Sequence, residues 1–570
     1  LLAPLWRVPM GRPGTRVGEP LYEEAPAGPG ARGAGPSTGD KLWLAMGKSL
    51  RAYDPVDGKP AWETGVGWLG VSFDEASVSP SGMPRPVVEL QTVHAGHPAH
   101  KAGLRSGDLL LSFDGEPIRK RLDLIQLCGT TPPGKEVEMV LLRPGRSARD
   151  GPRTRRLVLR TVIGNRPDSI AQALPDGTHR NLSLAAEPHE YIRVVGTEGR
   201  SIIAEVDMAL LWIDARSGRT TARTLVDTWE PERRTRYARY RLQMARGPRP
   251  VIGDGLVVAA TPTGRVICFD LDPLKASRRW TVKLPDGLAA FGLALWNGRV
   301  AVLARRGGFA SYARALPAQL FVFDAFSGFQ ILHDTFPSRG SIEECRLVTA
   351  GRKLIVSVPQ RLPCYDARGG RNLWTIDGRK VGASHFPEVT AVAGRVVALM
   401  NRHAIFAADL DTGRILWKKT ATSPTGIGSF QRMIRGRDRV FVAHAAASRY
   451  SVICHRLSGG KRLWETLISD GAALHTSRDP VPFAQVAGDR LFIVQHLMRR
   501  GARNPRGRAP TPSIAAIRIS DGKLLRHVGL AKAAGYNGVL GGKISTDPKR
   551  ATVIGLITES GLIGISADGE

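Results

Sequence analysis

The feature that most constrains this chain is a short phrase that recurs along it. A run of apolar residues ends in Asp, Gly follows four residues later, often with a basic residue behind it, and Trp often comes soon after. One clear copy is Leu50-Arg51-Ala52-Tyr53-Asp54, then Gly58-Lys59, then Trp62. Another ends at Asp409, with Gly413-Arg414 and Trp417; a third runs Leu362 to Asp366, with Gly370-Arg371 and Trp374. Weaker copies centre on Asp214 with Gly218, Asp324 with Gly328, and Asp270 with Trp280. Two late copies replace the Asp: His455 precedes Gly459 and Trp464, and Arg518 precedes Gly522-Lys523.

The phrase reads as a hairpin. Asp bonds its own backbone, Gly accepts positive φ, and the Trp on the following strand fills the space between stacked sheets. From Asp324 to Asp366 is 42 residues, from Asp366 to Asp409 is 43, and from Asp409 to His455 is 46. A four-stranded sheet of that length cannot bury both faces alone, so such units stack radially. The expectation is a mainly β chain forming a propeller of about eight blades, with seven or nine also compatible. Two half-repeats sit at the ends. Gly561 to Gly569 reads as the start of a unit without its last strand, and Leu5-Trp6-Arg7-Val8 as a last strand alone. Pairing them would close the ring and remove an exposed edge.

The pattern resembles the propeller repeats of pyrroloquinoline-quinone (PQQ) enzymes and of their cofactor-free relatives, such as the lipoprotein of the bacterial outer-membrane assembly machine. For the enzymes, the resemblance implies a quinone over the propeller axis, a disulfide between adjacent cysteines, calcium ligands and a catalytic Asp. The five cysteines, Cys128, Cys268, Cys345, Cys364 and Cys454, include no adjacent pair and no CxxC. They read as small buried hydrophobes. His385, His403, His444 and His496 read as surface or loop residues. The expected reading is non-catalytic, with no cofactor and no metal. A PQQ-dependent dehydrogenase-like enzyme with a regulatory second domain is the alternative.

One interval breaks the ladder: Asp54 to Asp214 spans 160 residues. It holds Gly67-Trp68-Leu69-Gly70-Val71, then Val93 to Ala99 and Lys101-Ala102-Gly103-Leu104, then Gly107-Asp108 through Gly115-Glu116-Pro117-Ile118. A helical stretch from Arg119 to Cys128, a Pro133-Gly134 turn and a strand from Val137 to Arg143 follow. This series resembles a PDZ domain of the bacterial HtrA-protease type, an α+β partly open barrel inserted at residues 66–163. Residues 1–65 and 164–570 are then propeller. The resemblance implies capture of an extended peptide as an added strand. Gly67, Trp68, Leu69 and Gly70 would form the loop receiving a C-terminal carboxylate, with Leu69 and Val71 along the peptide. Arg121, Ile125 and Cys128 fall at i, i+4 and i+7 on one helix face, the expected groove wall. That wall favours a small or medium apolar terminal side chain. His94, His97 and His100, spaced by three, could in principle hold a metal, but a strand-to-helix path through Pro98 need not bring them together.

No GNSGG-like or GxSxG segment surrounds this insert, so a serine-protease centre is not expected. No apolar run reaches the 18 residues that a spanning helix needs. The net charge is +30, mostly from arginine, with runs at Arg143–Arg160, Arg233–Arg249 and Arg499–Arg508. They sit in no nucleic-acid-binding motif; they read as solvated loops or as a contact to an anionic surface. The chain begins Leu1-Leu2-Ala3-Pro4 without methionine, as a processed chain would. The function expected is a binding scaffold in the periplasm or cell envelope. Its insert captures C-termini or extended peptides, and its propeller face holds a second partner.

Overall fold

A computed structural model describes residues 6–9, 42–46, 49–53, 59–75, 87–144, 154–165, 169–173, 179–183, 192–206, 209–226, 247–261, 263–272, 277–285, 287–306, 317–336, 345–423, 426–427, 429–446, 449–470, 472–474, 481–499, 511–530, 539–545, 553–558 and 561–566. Asp54, Gly58 and most of the second and third arginine runs lie outside them.

The described residues make nine blade-like sheets in chain order. Blade 1 is Leu42–Met46, Ser49–Tyr53 and Pro60–Gly65. Blades 2 to 8 are antiparallel meanders ending in the outer strands Thr220–Leu225, Arg278–Lys283, Gln330–Phe336, Asn372–Asp377, Ile415–Thr420, Arg462–Asp470 and Leu524–Gly529. Blade 9 is Val539–Ser545, Val553–Thr558 and Gly561–Ser566, and its outer strand is Trp6–Pro9 from the other end of the chain. Trp6 lies opposite Gly564 and Val8 opposite Leu562. The fold is therefore a β-propeller whose first strand completes its last sheet.

Why these sheets stack in order is visible at each hairpin. The N–H of the glycine donates back to the carbonyl of the residue four before it: Gly218 to Asp214, Gly328 to Asp324, Gly370 to Asp366, Gly413 to Asp409. Asp409 Oδ1 also accepts the N–H groups of Asp411 and Thr412. The glycine holds φ of 70° at Gly413, and a Cβ there would lie 2.6 Å from the Trp374 ring. The indole of one blade thus lies flat on the glycine of the next. The indole N–H donates to the carbonyl just after the Asp position. Trp62 bonds Ala215 at 3.0 Å, Trp280 bonds Ala325 at 2.8 Å, and Trp374 bonds Leu410 at 3.1 Å. Trp417 bonds Leu457 at 2.8 Å and Trp464 bonds Ile519 at 3.0 Å. Two of the blades that lack this Trp still fill the acceptor. Trp212, on the third strand of blade 2, reaches Leu271 at 2.8 Å, and Arg299 Nε of blade 4 reaches Ala367 at 2.9 Å.

Of the two late copies, Arg518 with Gly522 stands as expected, Gly522 donating to the Arg518 carbonyl, while the other is shifted by one residue. Arg456, not His455, holds the Asp position, and Gly460, not Gly459, holds the glycine. Gly460 donates to the Arg456 carbonyl and a Cβ on it would lie 2.5 Å from the Trp417 ring, whereas nothing lies within 4 Å of one on Gly459. Gly460→Ala is expected to cost about 2–4 kcal/mol, from a left-handed residue and a displaced indole. Gly459→Ala should stay within about 0.5 kcal/mol. Denaturant midpoints of the pair check this.

All five cysteines are buried and none is disulfide-bonded. Three share one repeat position: Cys268, Cys364 and Cys454 lie directly across from Trp280, Trp374 and Trp464. Alanine takes that place at Ala52 and Ala407. A small side chain there leaves room for the indole, and burial pushes these three thiols up to about 12. His444 and His496, expected at the surface, are buried instead. His444 packs edge-on against Phe430 with ring centroids 5.6 Å apart.

A peptide groove fixed to the second blade

Between blades 1 and 2 the chain forms a separate sheet. Its strands run in the order Arg155–Val162, Glu136–Arg143, Leu109–Phe113, Val88–Val93, Val71–Glu75. Leu90, Leu110, Phe113, Leu124, Met139 and Leu141 make its core. The helix Arg121–Thr130 packs against it, its start held by Asp123, whose Oδ2 accepts the N–H groups of Arg119 and Lys120. The Gly107-Asp108 pair is also explained. Gly107 holds φ of 87°, and the Asp108 carboxylate, almost fully buried, takes a fork of bonds from Arg143 at 2.7 and 2.8 Å. The first residue of the first arginine run is therefore a structural cation.

Val71–Glu75 is the edge of this sheet. Among the described residues it pairs on one side only, with Val88–Val93. Its other side faces the helix. An unpaired edge beside a helix is a template for an added strand. At the head of that strand, Gly67-Trp68 pairs with Asn165-Gly164, and the carbonyls of Leu69 and Gly70 accept from Ala99 and His94, both at 2.9 Å. Among the described residues no acceptor takes the N–H of Leu69 or Gly70. Successive unpaired N–H groups in a turn form an anion-receiving concavity. Both glycines are obligatory. A Cβ on Gly67 would lie 2.2 Å from the Thr131 carbonyl oxygen, and one on Gly70, at φ 81°, would lie 2.3 Å from His97 Cβ.

The residues expected in the groove divide by burial. Val71, Trp68, Arg121 and Ile125 are partly exposed. Leu69 and Cys128 belong to the core, with Cys128 Sγ 3.7 Å from the Gly67 carbonyl oxygen, so they back the loop from inside. Arg121 reaches across from the helix, its guanidinium carbon 6.0 Å from the Phe73 ring centroid on the edge strand. Its Nε is buried and has no partner among the described residues. Phe73 joins the groove residues expected from the sequence, and the alternation Val71, Phe73 along an edge strand is the signal for it.

Arg223 was invisible to sequence reading altogether. It lies on the outer strand of blade 2, and its Nη1 donates to the Leu127 carbonyl at 3.3 Å, Thr130 Oγ1 at 3.1 Å and Thr131 Oγ1 at 2.8 Å. Those groups form the C-terminal end of the groove helix. A cation there meets the negative end of the helix dipole. Burial draws the Arg223 pKa down from its usual value, against the opposing charges of Asp114 and Glu116. One wall of the groove is thereby tied to the propeller.

A repeat-built propeller interrupted by a one-helix-walled groove defines a propeller protein carrying a PDZ insert. Residues 67–149 match the PDZ domain family, and residues 271–507 match the family described as outer membrane protein assembly factor BamB. The chain therefore carries a BamB-like PQQ-type propeller and a PDZ domain. Curated relatives include the probable periplasmic serine endoprotease DegP-like of Pseudomonas fulva (strain 12-X), 28% identical over 162 residues, which are 26% of this chain and 32% of that protein. The protein of the same description from Ectopseudomonas mendocina (strain ymp) is 37% identical over 107 residues, 18% of this chain and 20% of its own length. The chain thus spans a third or less of these relatives. Among solved structures, BamB from Moraxella catarrhalis aligns at 11% identity and TM-score 0.40, over 65% of this chain and 95% of that one. A europium-containing methanol dehydrogenase aligns at 11% identity and TM-score 0.41, over 65% and 84%. Among the described residues no helix is long and apolar enough to cross a membrane.

Proposed function

We propose that this protein is a non-catalytic scaffold that captures protein C-termini or extended peptides in its PDZ groove while its propeller face holds a second partner. The observation that carries the reading is the edge of Val71–Glu75, unpaired on one side among the described residues, ending at two N–H groups, those of Leu69 and Gly70, that no described residue claims. An entering strand would pair with that edge, and its terminal carboxylate would take the two N–H groups. Ile125 and Val71 would flank its last side chain, and Arg121 would offer its Nε to an acceptor further back. We assign residues 66–163 to this module. The periplasm or cell envelope is the proposed location, in keeping with the compartment in the relatives' names.

Peptides ending in Val or Ala with a free carboxylate are expected to bind with micromolar Kd, and amidation of that carboxylate to weaken binding at least tenfold. Fluorescence polarisation on the whole chain checks this. A terminal-sequence library showing no preference would sink the reading. The non-catalytic part has its own test. PQQ with calcium should leave Tm unchanged, because a cofactor that binds the native state must raise it. A shift of several degrees at saturating PQQ would restore the dehydrogenase alternative.

A further inference from the structure

We propose, building on the assignment of Gly67–Gly70 as the carboxylate-receiving loop, that His97 with His94 behind it forms a second part of that receptor, so that the groove takes up a proton together with the peptide carboxylate. The two histidines are built onto the loop by backbone and ring alike. His97 caps the start of the helix Pro98–Lys101, with its Cγ 3.0 Å from where a Cβ on Gly70 would stand. His94 N–H donates to the Gly70 carbonyl at 2.9 Å. The Trp68 side chain binds both rings: its ring centroid is 4.6 Å from His97, edge-on, and 6.1 Å from His94, near parallel. The two imidazoles are 6.5 Å apart.

Neither ring has a hydrogen-bond partner among the described residues. The charged and titratable neighbours on the same helix are His100, whose Nδ1 accepts the Gly96 N–H, and Lys101. The strand residues packed against that helix, Trp68, Gly164 and Thr161, carry no charge. Burial lowers both imidazole pKa values, with a further push from His97 on His94 and from Lys101 on His97. Both rings are therefore neutral near pH 7 and lack a carboxylate beside them. A peptide terminus entering the loop supplies that negative charge and raises their pKa. The bound-state pKa then exceeds the free-state one. The affinity gain is complete below the free-state value, which lies under 6.5, and is lost as pH rises through the bound-state value.

The test uses the whole chain and a hexapeptide ending in valine, as free acid and as amide, with Kd measured from pH 5.0 to 8.0. The free acid should bind about tenfold more tightly at pH 5.5 than at pH 7.5, tenfold being one unit of pKa shift. Calorimetry at pH 6 in two buffers of different ionisation enthalpy should show net proton uptake. His97→Gln should flatten the slope, leaving less than about a threefold difference in Kd between pH 5.5 and pH 7.5. A wild-type chain that prefers the acid but shows no proton uptake would overturn the proton linkage alone. A His97→Gln chain of unchanged slope would overturn the role of His97. Equal binding of acid and amide at every pH would overturn the carboxylate loop itself. Because the calorimetric readout is on the wild-type chain, a variant that fails to fold leaves the proposal decidable.

Discussion

Replacing Trp417 with alanine is expected to lower the stability of the propeller by about 3–5 kcal/mol, the range for emptying a buried indole site. Trp417 is 7% exposed, lies flat on Gly460 of the next blade, and donates its N–H to the Leu457 carbonyl. The Leu457 N–H is itself bonded to the Asp438 carbonyl in its own blade. Trp417→Phe separates the two contributions. It keeps most of the packing and loses the hydrogen bond, and should cost about 1–3 kcal/mol for the carbonyl left unsatisfied. Guanidinium unfolding of the two variants measures both. A loss under 1 kcal/mol for the alanine variant would show that the blades are held by their apolar faces alone, and that the repeated indole contact is incidental.

Arg223→Ala should loosen the PDZ insert from blade 2. The guanidinium serves three acceptors at the end of the groove helix, and losing hydrogen bonds to a charged donor costs about 1.5–3 kcal/mol each in buried settings, though not additively. The expected loss is about 2–3 kcal/mol, confined to the contact between insert and blade. Hydrogen exchange should therefore speed up at Leu127–Thr131 and at Thr220–Leu225 but not in the core strands of blade 5. Arg223→Lys should recover less than half of the loss, since an ammonium lacks the planar fork that reaches several acceptors. Uniform acceleration over the whole insert would mean that Arg223 supports the domain's own fold and not its attachment.

The ring and the insert were legible because both are written as local patterns. Hairpin residues Asp409 and Gly413 stand four apart and must do so to make their turn. The insert shows both in its own motifs and as a break in the ladder. Where reading by pattern slipped, the reason is physical. At Gly459-Gly460 two glycines are adjacent, and only backbone φ distinguishes the one under the indole. Helical spacing put Arg121, Ile125 and Cys128 on one face but could not tell how far that face turns inward, and Cys128 lies in the core. Cysteines at 268, 364 and 454 looked scattered because their common property, a cross-strand tryptophan, exists only after pairing. Arg223 carries no local signal, since its acceptors lie more than ninety positions away in the chain.

The strand Trp6–Pro9 sets an order of events. Trp6 and its partner Gly564 stand 558 positions apart, with every other blade between them. During synthesis the intermediate blades can form as they emerge, each leaning on its predecessor, but the circle stays open until the final sheet exists. The strand Trp6–Pro9 therefore waits for its partner while all the intervening blades are made, and the step that closes the ring joins segments far apart in the sequence. Such a late, long-range step is slow compared with hairpin formation and leaves a window in which a chaperone or a transport channel can act.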